Sequence, residues 1–118
     1  MLTLIADDDI VWVKILSRFL KELNYEVISA GTCAEALALA EKRVPGVILV
    51  DGTLMDGDAA RLCAAIRASP GLDRTALVLI SGEEHSPEAC GADGFVLKDG
   101  QLAEIAAAIK EAAAKRRG

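Results

Sequence analysis

Aromatic residues are nearly missing. The 118-residue chain has one tryptophan, one tyrosine and two phenylalanines, 3% in all. A core must therefore be aliphatic and alanine-rich. The hydrophobic fraction of 53% is ample for one, which excludes a disordered chain. Cysteine is equally sparse. Cys33, Cys63 and Cys90 are odd in number and show no C-x-x-C spacing. That excludes a disulfide framework and a zinc site, and implies free thiols in a reducing compartment. Cys33 falls in a first helical turn, where a thiol pKa can drop, but its plainer reading is a packing residue. Excess positive charge is also lacking: the net charge is −5 and the pI about 4.8. An acidic domain is poorly suited to direct nucleic-acid binding, which rests on phosphate neutralisation. The basic cluster Lys115–Arg117 closes a helix and there complements its dipole. No apolar run approaches membrane-spanning length and no signal peptide precedes Met1–Ala6. A cytoplasmic chain without a membrane partner is expected.

What the chain does have is a regular alternation of strands and helices. Leu2–Ala6 reads as a first strand and runs into Asp7, Asp8 and Asp9. Ile10–Leu23 reads as a helix capped by Asp9, with Ile15, Leu16, Phe19, Leu20 and Leu23 at three- and four-residue spacing. Trp12 lies at its start and reads as a packing residue. Tyr25–Ala30 is a second strand. Thr32 and Glu35 form a T-x-x-E capping box for a second helix, whose apolar side is Ala36, Leu37, Leu39 and Ala40. Pro45-Gly46 breaks that helix and leads into Val47–Val50, an unbroken β-branched and aliphatic run ending in Asp51. Asp58 is a cap for a third helix, Ala59–Ala68, which Ser69-Pro70-Gly71 ends. Ala76–Ile80 runs into Ser81, and Gly94–Leu97 into Lys98. A last helix covers Gln101–Arg116.

Continuous apolar strands separated by helices imply a parallel sheet buried on both faces. The expected architecture is α/β: a doubly wound five-stranded parallel sheet, flavodoxin-like order 2-1-3-4-5, in one domain spanning 1–118. Loops at the carboxyl ends of such strands build the sites of open α/β sheets. Here four strands deliver acids, a hydroxyl and an amine to one edge. Clustered carboxylates raise one another's pKa unless a cation intervenes, and hard oxygen ligands suit Mg²⁺. Capping a helix requires one acid, not three.

In these residues the whole chain resembles the receiver domains of two-component response regulators. Asp7-Asp8 are similar to the family's acidic pair, Asp51 to its phosphoacceptor, Ser81 to the hydroxyl residue, Lys98 to the lysine and Phe95 to the switch aromatic. The resemblance implies that Asp51 takes a phosphoryl group from a sensor histidine kinase or phosphotransfer protein. Asp8, Asp51 and the Thr53 carbonyl would ligate Mg²⁺, with Asp7 acting mostly through water. Ser81 and Phe95 would then move and switch a surface toward a downstream protein target. The domain would be a phosphoacceptor assisting its own phosphoryl transfer and dephosphorylation, not an enzyme in the ordinary sense. A homodimer stays open, as does the choice between a single-domain regulator and a receiver from a longer chain.

The sequence departs from the family in places. Met55 stands for a proline, Ala59 for a glycine, Gly82 for a frequent alanine, and Asp99 for the proline after the lysine. A cis bond before a non-proline residue costs ~2.5–4 kcal/mol, so Lys98-Asp99 is expected trans with its loop rerouted. The segment Ser81–Asp93 is short. Ser86, Pro87 and Gly91 bracket about one helical turn, so the fourth helix is expected to be shortened or missing. Partner contacts should then move toward the first or last helix. His85, the only histidine, reads as a solvated loop residue. Two alternatives remain. One is a pseudo-receiver that signals without phosphate. The other is a haloacid-dehalogenase-like phosphatase, suggested by Asp51-Gly52-Thr53-Leu54, although its nucleophile position is Leu49.

Overall fold

The computed structural model describes the backbone of all residues except 52, 55, 56, 82–90, 99, 100 and 118. The side chains of 53, 54, 57–59 and 117 also lie outside the description. Five strands form one parallel sheet: β1 (Leu2–Ala6), β2 (Glu26–Ala30), β3 (Val47–Asp51), β4 (Ala76–Ser81) and β5 (Gly94–Leu97). Their order is β2-β1-β3-β4-β5, the flavodoxin-like order expected, which the alternation of strands and helices fits but does not by itself fix. The described residues contain four helices: α1 (Ile10–Glu22), α2 (Cys33–Arg43), α3 (Ala59–Ala68) and α4 (Leu102–Arg117). The expected turn at Pro87–Cys90 falls on residues 82–90, outside the described ones.

The strands read as continuous apolar runs because both faces of the sheet are covered. Alternate residues enter two cores. Leu4, Ile48, Val50, Leu77 and Leu79 meet Ala36 and Ala40 of α2 and Leu62 and Ile66 of α3. Ile5, Val47, Leu49, Val78, Ile80 and Val96 meet Leu16 and Leu20 of α1 and Ile105 and Ile109 of α4. Each fully buried leucine or isoleucine contributes about 1.5–3 kcal/mol. The register Ala6↔Val50 and Asp51↔Ile80 aligns the strand ends at one edge. That edge carries Asp7, Asp51, Ser81 and Lys98.

The helix ends follow local chemistry. Asp9 caps α1 by accepting from the Trp12 backbone N–H at 3.1 Å. Thr32 caps α2 by accepting from the Glu35 N–H, and the Glu35 carboxylate accepts from Gly31 rather than from the cap itself. Val44 leaves α2 in the left-handed region at φ 46°, and Pro45 prevents continuation. Asp58, expected as the α3 cap, lies in a short antiparallel ribbon of Thr53–Leu54 with Gly57–Asp58, and its side chain is outside the description.

Two apolar residues of the first helix are not inward. Ile15 is 49% exposed and Leu23 46%. The buried stripe is centred on Leu16 and Leu20; Ile15 is rotated one residue off it, and Leu23 lies past the last turn as the C-cap. Lys115 and Arg116 do more than complement a dipole. Lys115 Nζ donates to the Asp93 carbonyl at 2.8 Å and Arg116 Nε to the Asp93 carboxylate at 2.9 Å. The same carboxylate accepts from Arg67 Nη2 and from the Leu77 N–H, each at 2.9 Å. Asp93 thus fastens α3, α4, β4 and the entry to β5, near the start of β4 and far from the acidic edge.

Candidate functional site

The sheet alternation that sends Ile5, Leu49 and Val96 toward α1 and α4 continues one step past each strand's core residues. It carries Asp7, Asp51 and Lys98 to the same side. Backbone bonds fix these ends: the Asp7 N–H donates to Ala30 O at 3.0 Å, and the Lys98 N–H to Ser81 O at 2.8 Å. Lys98 Nζ lies 3.0 Å from Asp7 Oδ2 and 3.6 Å from Asp51 Oδ1. The other Asp7 oxygen accepts from the Asp9 N–H at 2.9 Å, so Asp7 is bonded on both sides. Asp8 is exposed.

One carboxylate oxygen from each of Asp7, Asp8 and Asp51 lies within 4.8 Å of the others. Three hard, acidic donors at this separation can hold a divalent cation. The charge balance agrees. Burial, then the negative charge of Asp7, pushes the Asp51 carboxyl from 3.8 up to about 6; Lys98 opposes the rise and Asp8 adds to it. One lysine therefore does not neutralise the cluster. Burial works against the Lys98 ammonium as well, but its hydrogen bond and ion pair with Asp7, and then Asp51, outweigh it and hold Lys98 above its ordinary value.

This chain has counterparts among known proteins. The family model for the response regulator receiver domain matches residues 3–110. The chain belongs to the receiver domain family. Among curated proteins it is 31% identical, over 98% of its length, to the transcriptional regulatory protein PrrA of Mycobacterium bovis, and covers 50% of that protein. It is 34% identical, over 74% of its length, to the DNA-binding transcriptional activator DevR/DosR of Mycobacterium tuberculosis, and covers 42% of it. The chain thus spans half or less of the length of these curated relatives. Among solved structures, the chemotaxis response regulator CheY4 of Vibrio cholerae superposes with a TM-score of 0.82 at 27% identity, covering 92% of this chain and 97% of that one.

The receiver's remaining expected residues can be placed. Ser81 is buried at the end of β4. Phe95 is half-buried on β5, against the core shared with α2 and α3. The register Leu79↔Phe95 and Ser81↔Leu97 puts Ser81 and Phe95 on one face of the sheet. The Thr53 backbone lies in the ribbon after β3, its side chain outside the description. Asp99 lies outside the described residues, and with it the expected trans bond after Lys98. Leu49, the position a haloacid-dehalogenase nucleophile would need, is buried in the apolar core. Sequence reasoning missed one contact. The Trp12 ring, read only as packing, has its centroid 5.7 Å from Lys98 Nζ. The signal available was the Asp9 cap, which fixes Trp12 in the first turn beside the acids. No helix among the described residues is long and apolar enough to cross a membrane.

Proposed function

We propose that Asp51 accepts a phosphoryl group from a phosphohistidine of a sensor kinase or phosphotransfer protein, in a reaction that needs Mg²⁺. The observation that carries this reading is the Asp51 carboxylate at the end of the central strand. It is raised to about 6, flanked by two other acids, and 3.6 Å from an ammonium. At neutral pH such a carboxylate is still mostly ionised, and its raised basicity makes it the better nucleophile. An Asp51 oxygen forms the new bond to phosphorus as the phosphorus–nitrogen bond breaks. The bonding pair goes to the imidazole, which keeps it as a neutral ring nitrogen or takes a proton from water.

Asp8 and Asp51, with the Thr53 carbonyl, would hold the metal, and Asp7 would act mostly through water. Bound there, Mg²⁺ would offset the charge of the transferred group. Lys98 contributes to the same neutralisation, because its ammonium can swing from Asp51 to a phosphoryl oxygen while staying paired with Asp7. Ser81 would donate its hydroxyl to another oxygen, and Phe95 would turn toward the space that Ser81 leaves. The added charge thereby biases a surface that a downstream protein reads. The first helix offers a docking face beside the site. Ile10 is 70% exposed and Val11 67%, immediately after the acids.

The test is incubation with acetyl phosphate and Mg²⁺ followed by intact mass. One added phosphoryl group is expected, absent without metal and absent in Asp51→Asn. Unchanged wild-type mass under conditions that label a known receiver sinks the reading. Labelling that survives Asp51→Asn refutes the acceptor assignment.

A further inference from the structure

Lys98 carries the longest flexible side chain in the acidic pocket, and something must hold its charge in place. Its backbone is fixed by the N–H bond to Ser81 O. Its four-carbon stem is not, and a lysine stem has about 2 kcal/mol of rotamer entropy to lose. Two of the ammonium's partners are Asp7 Oδ2 at 3.0 Å and Asp51 Oδ1 at 3.6 Å. Both carboxylates belong to the cluster that can take a divalent cation. A cation there competes with Lys98 for Asp51, and a phosphoryl group on Asp51 would take the ammonium from a carboxylate oxygen to a phosphoryl one, so Nζ has to shift while it stays paired with Asp7. The third partner is of another kind. The indole face of Trp12 lies 5.7 Å from Nζ, within the range of a cation–π contact, and tryptophan is the strongest aromatic partner for one. It uses none of the three N–H donors and is consumed by neither metal nor phosphate.

Trp12 is also held independently of Lys98. Its backbone N–H is bonded to the Asp9 cap, and its ring packs against the core beneath α1 and α4. The geometry points to Trp12 as a positioning residue for Lys98: its ring confines the ammonium to the pocket while Nζ shifts from Asp51 toward a phosphoryl oxygen. This rests on the phosphoacceptor reading of Asp51, and it predicts an effect on rate rather than on acceptor identity.

The experiment compares phosphorylation rates of wild type, Trp12→Leu, Trp12→Phe and Trp12→Tyr with acetyl phosphate and saturating Mg²⁺. Trp12→Leu should be slowed about 3- to 10-fold, and the two aromatic variants should stay within about 2-fold of wild type. Trp12→Leu at the wild-type rate, or Trp12→Phe as slow as Trp12→Leu, overturns the inference, because either result leaves only a packing role. A second readout needs no variant to fold. In wild type the Lys98 ε-methylene NMR signals should be ring-current shifted and remain so after Mg²⁺ is added. Signals that move to ordinary lysine values on adding Mg²⁺ overturn the inference. A wild type that takes no phosphoryl group overturns the parent reading instead, whereas a reactive wild type with an indifferent Trp12 overturns only this one.

Discussion

Replacing Asp51 by asparagine should stabilise the metal-free protein. The carboxyl rises from 3.8 to about 6 on folding, through burial and the charge of Asp7, with Lys98 only partly compensating. At 1.36 kcal/mol for each tenfold change in proton affinity, that is about 3 kcal/mol of penalty on the ionised form at neutral pH. The side chain is 12% exposed, and solvent reaching it screens part of the interaction, which leaves about 2 kcal/mol. The sign follows from linkage. The folded-state value is the raised one, so the folded protein binds the proton more tightly. The penalty is absent well below 3.8, grows through the interval and is complete above about 6. Asparagine has nearly the same shape and no charge, so it removes the penalty without opening a cavity. In a domain of this size, about 2 kcal/mol corresponds to a rise in Tm of roughly 8 °C. The assay is thermal and urea unfolding of both proteins in chelator, from pH 4 to 7.5. Asp51→Asn should exceed wild type at pH 7.5, the gap should shrink toward pH 4, and Mg²⁺ should narrow it by stabilising wild type more. Equal midpoints at pH 7.5, or a gap as large at pH 4 as at 7.5, would refute the reasoning.

The acids beside Asp51 should separate into ligand and cap. Asp8→Ala should weaken Mg²⁺ binding, read from Trp12 fluorescence, more than Asp9→Ala does, whereas Asp9→Ala should lose about 1 kcal/mol of stability because its side chain accepts the Trp12 backbone N–H; equal effects on the titration would show the wrong pair. At the opposite end of the sheet, Asp93→Ala should destabilise by roughly 2–3 kcal/mol, less than for a fully buried pair because Arg67 and Arg116 keep 20% and 30% side-chain exposure. A change in urea midpoint equivalent to less than about 0.5 kcal/mol would show that this carboxylate is not what joins α3 to α4.

Most of the site could be read from sequence because its residues stand at the ends of buried strands or one step beyond them. A strand covered on both faces leaves a short apolar run that its length, β-branched content and flanking turn residues mark as a strand, and the first polar residue after it marks the sheet edge. Asp7, Asp51, Ser81 and Lys98 are all such residues, and a parallel sheet brings them to one edge whatever the helices do. What could not be read depends on how helices rotate and on which distant ends meet. Ile15 fits an apolar spacing as well as Leu16 does, but only the packed helix shows that it faces out. Asp93 stands in a short stretch beside Gly94, and nothing local marks it as the partner of Arg67 and Arg116. Trp12 and Lys98 lie near opposite ends of the chain, and their contact exists only because β1 and β5 flank the same central strands while α1 folds back over them. The two kinds of residue differ in what they do. Those at strand ends carry the charges of the site, and their types are fixed by the chemistry they supply. Those on helix termini lie beside the charges, and which of them do so depends on how the helix is rotated. Trp12 is therefore the residue at which packing and chemistry can be pulled apart by substitution, since phenylalanine and tyrosine keep an aromatic face toward the ammonium whereas leucine keeps only an apolar contact.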